Sequence, residues 1–207
     1  AKEAKRQAKE AERLQEEQYQ LREQIAYEYA DRIGKIEKDL AREIADIQKA
    51  SFATPEQTQG FIQNAQNRAD IEKQLYIAQL TQQYSEWRAT EEQKLDYKVH
   101  VNELMIQLDS DMNDDMKKQA MQSLKDQANY ELAQIELNKE RRLFAANEIF
   151  MSEKEKIAER YRLEREEILR NKQLTEQERQ TQIAGTFGRE ALDTATQQQG
   201  VAQNYLG

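Results

Sequence analysis

Asp109, Asp111 and Asn113 stand at alternate positions, the spacing with which a calcium-binding loop begins. Oxygens placed this way can converge on one hard cation. The rest of such a loop is missing. Its sixth position is Asp114, where a glycine makes the sharp turn, and its twelfth is Ala120, where a bidentate glutamate closes the shell. A helix start accounts for the same residues, with Asn113 as N-cap and Asp114 and Asp115 complementing the positive end of the helix dipole. We read them that way, and expect no metal site.

His100 is the single histidine, and Glu103 lies one turn beyond it. No Glu-x-x-His pair accompanies it, so a carboxylate-bridged metal pair of the helical-bundle kind is not indicated. Trp87 and the nine tyrosines could stack bases, but they lack an accompanying basic stripe. We read them as large residues filling a thin helical core. Catalysis needs a nucleophile, a base and an orienting group gathered in a pocket, and no such set stands out. The expectation is therefore of no catalytic, cofactor-binding or metal-binding residues, and of a chain that is not an enzyme.

The residues whose types and spacing do carry a prediction are helix caps. Thr54-Pro55-Glu56-Gln57 has Thr54 placed to accept from the N–H of Gln57, and Gln57 placed to reach back to the N–H of Thr54. Pro55 occupies the first helical position, where a missing N–H is harmless. Asn113 opens another helix 59 positions later, and Thr175 with Glu178 a third after a further 62. Between these breaks three apolar positions recur at fixed distances before each cap: Ile36, Leu95 and Ile157; Leu40, Val99 and Tyr161; Ile47, Ile106 and Ile168. Steps of four and seven return to one side of a helix, so these residues predict a seam. Ile62, Met121 and Ile183, each eight residues past a cap, extend it into the next helix. True duplication and helices that merely share length and patterning both produce this pattern.

Helices are accordingly expected over about 2–50, 55–109, 114–171 and 176–199, with a polar exit segment at 200–207. Gly185 and Gly188 are expected to kink or end the fourth, since each costs about 1 kcal/mol relative to alanine in a helix interior. No segment alternates at period two. The predicted fold is all-α: long antiparallel helices forming an elongated coiled-coil-like rod or bundle across a single region, 1–207. Kinks in one nearly continuous helix remain an alternative to hairpin turns. Ile77, Leu80, Tyr84 and Trp87 predict one interrupted seam, and Phe150, Ile157, Tyr161 and Ile168 another.

Composition agrees with long, wet helices. Charged residues make up 34% of the 207, apolar ones 38%, with one proline and no cysteine, and mean hydropathy is −1.06. Such a balance suits helices that bury a narrow stripe. The net charge of −8 opposes nonspecific nucleic-acid binding, which needs clustered Lys and Arg. Pairs such as Glu28 with Arg32 and Glu166 with Arg170 have the i,i+4 order of an exposed face, and the charges are read as a solvated surface. No apolar run approaches the ~20 residues that span a bilayer. The chain opens on charged helix without an initiating Met, as a piece cut from a longer helical protein would.

The stretch Glu153-Lys154-Glu155-Lys156-Ile157-Ala158-Glu159-Arg160-Tyr161-Arg162-Leu163-Glu164-Arg165-Glu166-Glu167-Ile168-Leu169, followed by the restart Leu174-Thr175-Glu176-Gln177-Glu178-Arg179, resembles the helical middle of bacteriophage tail tape-measure proteins. The resemblance extends over residues 26–195. The apolar membrane-interacting segments and peptidoglycan-cleaving domains that some of those proteins carry have no counterpart here. It implies a structural ruler inside the tail tube, with tail-tube and tail-assembly proteins as partners. Assembly would take place in the bacterial host cytoplasm and the product would reside in the phage tail. The competing expectation is a cytoplasmic coiled-coil spacer or scaffold without catalytic activity, associating with other helical chains or with itself. A third is the helical accessory domain of an enzyme whose chemistry lies elsewhere.

Overall fold

The computed structural model describes residues 2–206, with side chains from residue 4 onward; Gly207 lies outside the described residues. The fold is all-α. Seven helices follow one another: α1 (Lys2–Glu28), α2 (Arg32–Lys49), α3 (Pro55–Ser85), α4 (Glu91–Leu108), α5 (Asp114–Asn147), α6 (Glu153–Arg170) and α7 (Glu176–Leu206). Single 3₁₀ turns follow α3 and α5. There is no strand among the described residues.

The expected starts at Pro55, Asp114 and Glu176 are present, but each of the first three long helices is two. The additional breaks have their own caps. Asp31 accepts from the Gly34 N–H at 2.7 Å. Thr90 and Gln93 exchange two bonds, at 3.2 and 3.0 Å. Ser152 and Glu155 form the same reciprocal box, at 3.3 and 2.8 Å. A cap side chain competes with helix continuation because it satisfies amide donors that a through-going helix would use. Asp31, Thr90 and Ser152 each lie 23 residues before Thr54, Asn113 and Thr175 respectively. Consequently α2, α4 and α6 are all 18 residues long, and each is followed by a helix of 31 or 34. The repeated element is a short helix, a turn and a long helix.

One other boundary differs from expectation. Helix α7 runs through Gly185, Gly188 and the segment expected to be a polar exit, as far as Leu206. Two glycines cost about 2 kcal/mol, too little to stop a helix otherwise rich in Ala, Gln, Glu and Arg. The chain divides into two compact units, 1–87 with 100–120, and 88–99 with 121–207.

All twelve seam positions named above are buried or half-buried. In the first unit, Ile36 of α2 and Ala65 and Ala69 of α3 are buried, all three at 5% exposure or less. Alanine at those positions lets the helices approach closely. The ion pairs Glu43–Arg68 and Glu37–Lys73 join increasing positions on α2 to successively earlier ones on α3, so the two run antiparallel. Phe52 stacks on Phe61 at the turn, ring centroids 4.6 Å apart. The far half of α3 packs Ile71, Leu75 and Ala78 against Val101 and Leu104 of α4. Ser51, just past α2, has φ 52°, the left-handed region that favours glycine.

In the second unit Leu137 of α5 is fully buried, and Ile157, Tyr161, Leu163 and Ile168 of α6 are nearly so. Thr186 of α7 is also fully buried; its hydroxyl donates to the Ile183 carbonyl at 2.6 Å and so is satisfied. The aromatic residues expected in the core divide. Tyr161 is buried, whereas Tyr84, Trp87 and Phe150 are 68%, 83% and 81% exposed. Trp87 and Phe150 lie in the 3₁₀ turns at the breaks before α4 and α6.

Candidate functional site

Each cap residue closes its own helix, and the structure does not gather these residues into one site. Thr54 accepts from the Gln57 N–H at 3.2 Å with Pro55 at the first helical position. The return bond from Gln57 expected from the sequence does not form, so this cap is half a box. Asn113 accepts from the Met116 N–H at 2.9 Å. Thr175 and Glu178 form the full box, at 3.2 and 2.8 Å. Hydrogen bonds from the backbone and then the hydroxyl of Thr175 hold the Glu178 carboxyl below the usual carboxylate range. Ser152 does the same to Glu155. Asp109 accepts from the Asp111 N–H at 2.9 Å, which makes the calcium-like spacing a tight turn leading into the Asn113 cap. His100 is exposed.

Charged groups are organised more than the sequence suggests. Many that read as a solvated surface are straps between helices. In the second unit Lys98 and Lys139 reach Glu131 and Glu92, tying α4 to α5. Both carboxyls are held low, chiefly by their lysine hydrogen bonds. Arg162 bridges Glu140 of α5 and Glu159 of its own helix, and Arg170 donates to the Ala133 carbonyl at 2.8 Å. Between α6 and α7 a ladder forms from Arg165–Glu190 and Arg189–Glu164, both 2.6 Å, with the Tyr161 hydroxyl on Asp193. Arg165 also lies over the Phe187 ring at 4.2 Å. The Asp193 carboxylate, with burial, pushes the Tyr161 hydroxyl above its ordinary range. A sequence signal existed: these residues flank the seam, where coiled-coil charges pair across helices.

An open groove of about 560 Å³ runs beside this ladder, with Glu164, Asn171, Gln182 and Arg189 among its lining. Its charged members are occupied, Glu164 with Arg189 and Glu167 with Arg141. Ion pairs of this kind, each joining two different helices, hold those helices in position. Among the described residues no group of three His, Asp or Glu could hold a metal ion, and no helix is long and apolar enough to cross a membrane. No protein-family model matches the chain, and neither a curated protein nor a solved structure matches it.

Proposed function

We propose that this chain is a structural, length-setting spacer without catalytic chemistry, in the specific form of a phage tail tape-measure segment. The observation that carries the spacer reading is the constant plan of the repeat. An 18-residue helix recurs in every unit, and both caps return at intervals of 59 and 62 residues. A helix has a fixed rise per residue, so adding or removing whole units changes length in set steps. The resemblance of Glu153–Leu169 and the restart after it supplies the phage-tail part. Its partners would be tail-tube and tail-assembly proteins, and its location the tail assembled in the host cytoplasm.

The test is an in-frame deletion of residues 113–174 in the gene that encodes the chain, with tail length read from electron micrographs. A single extended helix loses about 90 Å at 1.5 Å per residue. Shortening up to that figure supports the ruler, and unchanged length rejects it. A second reading, a cellular scaffold that keeps its hairpins folded, is favoured by the interhelical straps, since antiparallel neighbours held by Lys98–Glu131 and Arg165–Glu190 advance less than their contour length. Neighbouring genes for tail tube and baseplate would favour the ruler; secretion or cytoskeletal neighbours would favour the scaffold.

A further inference from the structure

Helix α1 is unlike the other six. Each of α2 to α7 carries at least one buried residue, whereas every residue from 4 to 22 of α1 is exposed. Near its C-terminal end the helix meets α2, where the Tyr27 hydroxyl donates to Asp39 at 3.2 Å and Arg42 lies over the Tyr27 ring. Twenty-seven residues of helix with so little tertiary cover are an anomaly, because helices in proteins draw most of their stability from packing one face.

That face exists and is uncovered. Ala4, Ala11, Gln18 and Ile25 fall on one heptad position and Gln7, Leu14 and Leu21 on the position three residues later, giving an unbroken alternation of three and four. In heptad terms these are a and d. Leu14, Leu21 and Ile25 are 49%, 57% and 47% exposed although they line this seam. Leucine at d suits two-stranded coiled coils, and a single polar residue at a, here Gln18, selects register and strand number.

The flanking charges choose the occupant and its direction. The g positions are Glu10, Glu17 and Gln24, and the e positions Ala8, Gln15 and Arg22. In a parallel pair g faces the e position five residues on in the partner, which sets Glu17 against Arg22 twice, once on each side. In an antiparallel pair g faces g, which brings the Glu10 and Glu17 ridges of the two chains together. Within its own helix Glu17 has only the exposed Arg13, at 3.4 Å, and remains open to a second cation.

We infer that α1 pairs with the α1 of a second copy of this chain as a parallel, in-register, two-stranded coiled coil. The seam closes over Leu14, Leu21 and Ile25, and crossed Glu17–Arg22 pairs seal its edges. This interface uses no residue of the other helices, so the hairpin repeats stay free on both copies.

The chain has no cysteine, which makes the test direct. Leu21→Cys places two thiols face to face in the parallel register, while Gln20→Cys lies on the outer surface. On mild oxidation L21C forms a disulfide-linked dimer and Q20C does not. Equal cross-linking of both, or none in either, overturns the proposal. Sedimentation equilibrium of the unmodified chain over roughly 1–100 μM gives a mass rising toward twice 24.4 kDa. A monomer throughout overturns it. Glu17→Arg and Arg22→Glu each weaken the dimer severalfold, and mixing the two variants restores it as a heterodimer, since every facing pair is then opposite in charge. A dimer that E17R strengthens is antiparallel and refutes the parallel arrangement. Circular dichroism of each variant confirms that the remaining helices are intact.

Discussion

Replacing glycines by alanine discriminates between two kinds of helical glycine in this chain. A Cβ built on Gly185 or Gly188 meets nothing within 4 Å, and the same holds for Gly60. At such positions alanine removes backbone freedom from the unfolded chain without a native-state penalty, worth about 0.5–1 kcal/mol each. The double variant G185A/G188A therefore gains about 1–2 kcal/mol. For a chain of this size that is a rise of roughly 2–8 °C in Tm. Gly34 differs. A Cβ there would sit 3.2 Å from both the Ala30 Cβ and the Asp31 Oδ1, and that oxygen is the cap acceptor for the Gly34 N–H. The methyl group pushes on the cap that starts α2, and losing a cap costs about 1 kcal/mol, which cancels the gain or exceeds it. Gly60→Ala serves as the control within the same unit. Thermal and urea unfolding followed by far-UV circular dichroism reads all three variants. If G34A stabilises as much as G60A, the Asp31 cap carries no weight and the break before α2 is not held as described. If G185A/G188A destabilises, α7 is not a continuous open-faced helix there.

Loss of a cap hydroxyl should cost roughly 0.5–2 kcal/mol, with Thr175→Ala above Thr54→Ala because only Thr175 has the reciprocal bond; chemical denaturation against a Gln82→Ala control checks this, and equal effects at all three positions would refute it. Leu137→Ala removes a fully buried side chain, and a loss of about 2–5 kcal/mol in urea unfolding is expected. Ser51→Gly relieves the left-handed backbone past α2 and raises stability by up to about 1 kcal/mol, whereas Ser51→Val lowers it. Glu155 and Glu178 are held below their unfolded carboxylate values, so the stability they supply is complete above about pH 4.3 and is lost as pH falls through their lower folded values. Urea midpoints measured from pH 7 to pH 3 should fall, and the fall should be smaller in the double variant E155Q/E178Q.

The helical class was readable because periodicity and caps are local. Thr54, Asn113 and Thr175 start helices as their neighbours imply, and the apolar residues at common distances before them line the interior. The second set of caps is equally local: Thr90-x-x-Gln93 and Ser152-x-x-Glu155 carry full capping-box spelling inside stretches whose apolar spacing reads as continuous helix. Asp31 lacked that signal, since Gly34 stands where the returning side chain would be. Which aromatics are buried could not be inferred from spacing alone. Tyr161 and Trp87 both sit on apolar stripes, and only the position of the breaks leaves one covered and the other bare. The ion-pair straps were hidden for a similar reason, because a charge at a seam edge has no distinguishing type until the partner helix is placed.

Every helix packing described here is between neighbours in the chain: α2 on α3, α3 on α4, α4 on α5, α5 on α6, α6 on α7. Closing such a hairpin requires a connector of only a few residues, so little loop entropy opposes it. The contact order is low, which places the chain with the fast folders. During synthesis the first hairpin can bury Ile36, Ala65 and Ala69 as soon as α3 has left the ribosome, without waiting for anything that follows. Each later helix then adds to a finished edge. Growth in this order never leaves a long apolar stripe exposed at once, and a polar chain with a thin core can thereby reach its fold with little opportunity to aggregate.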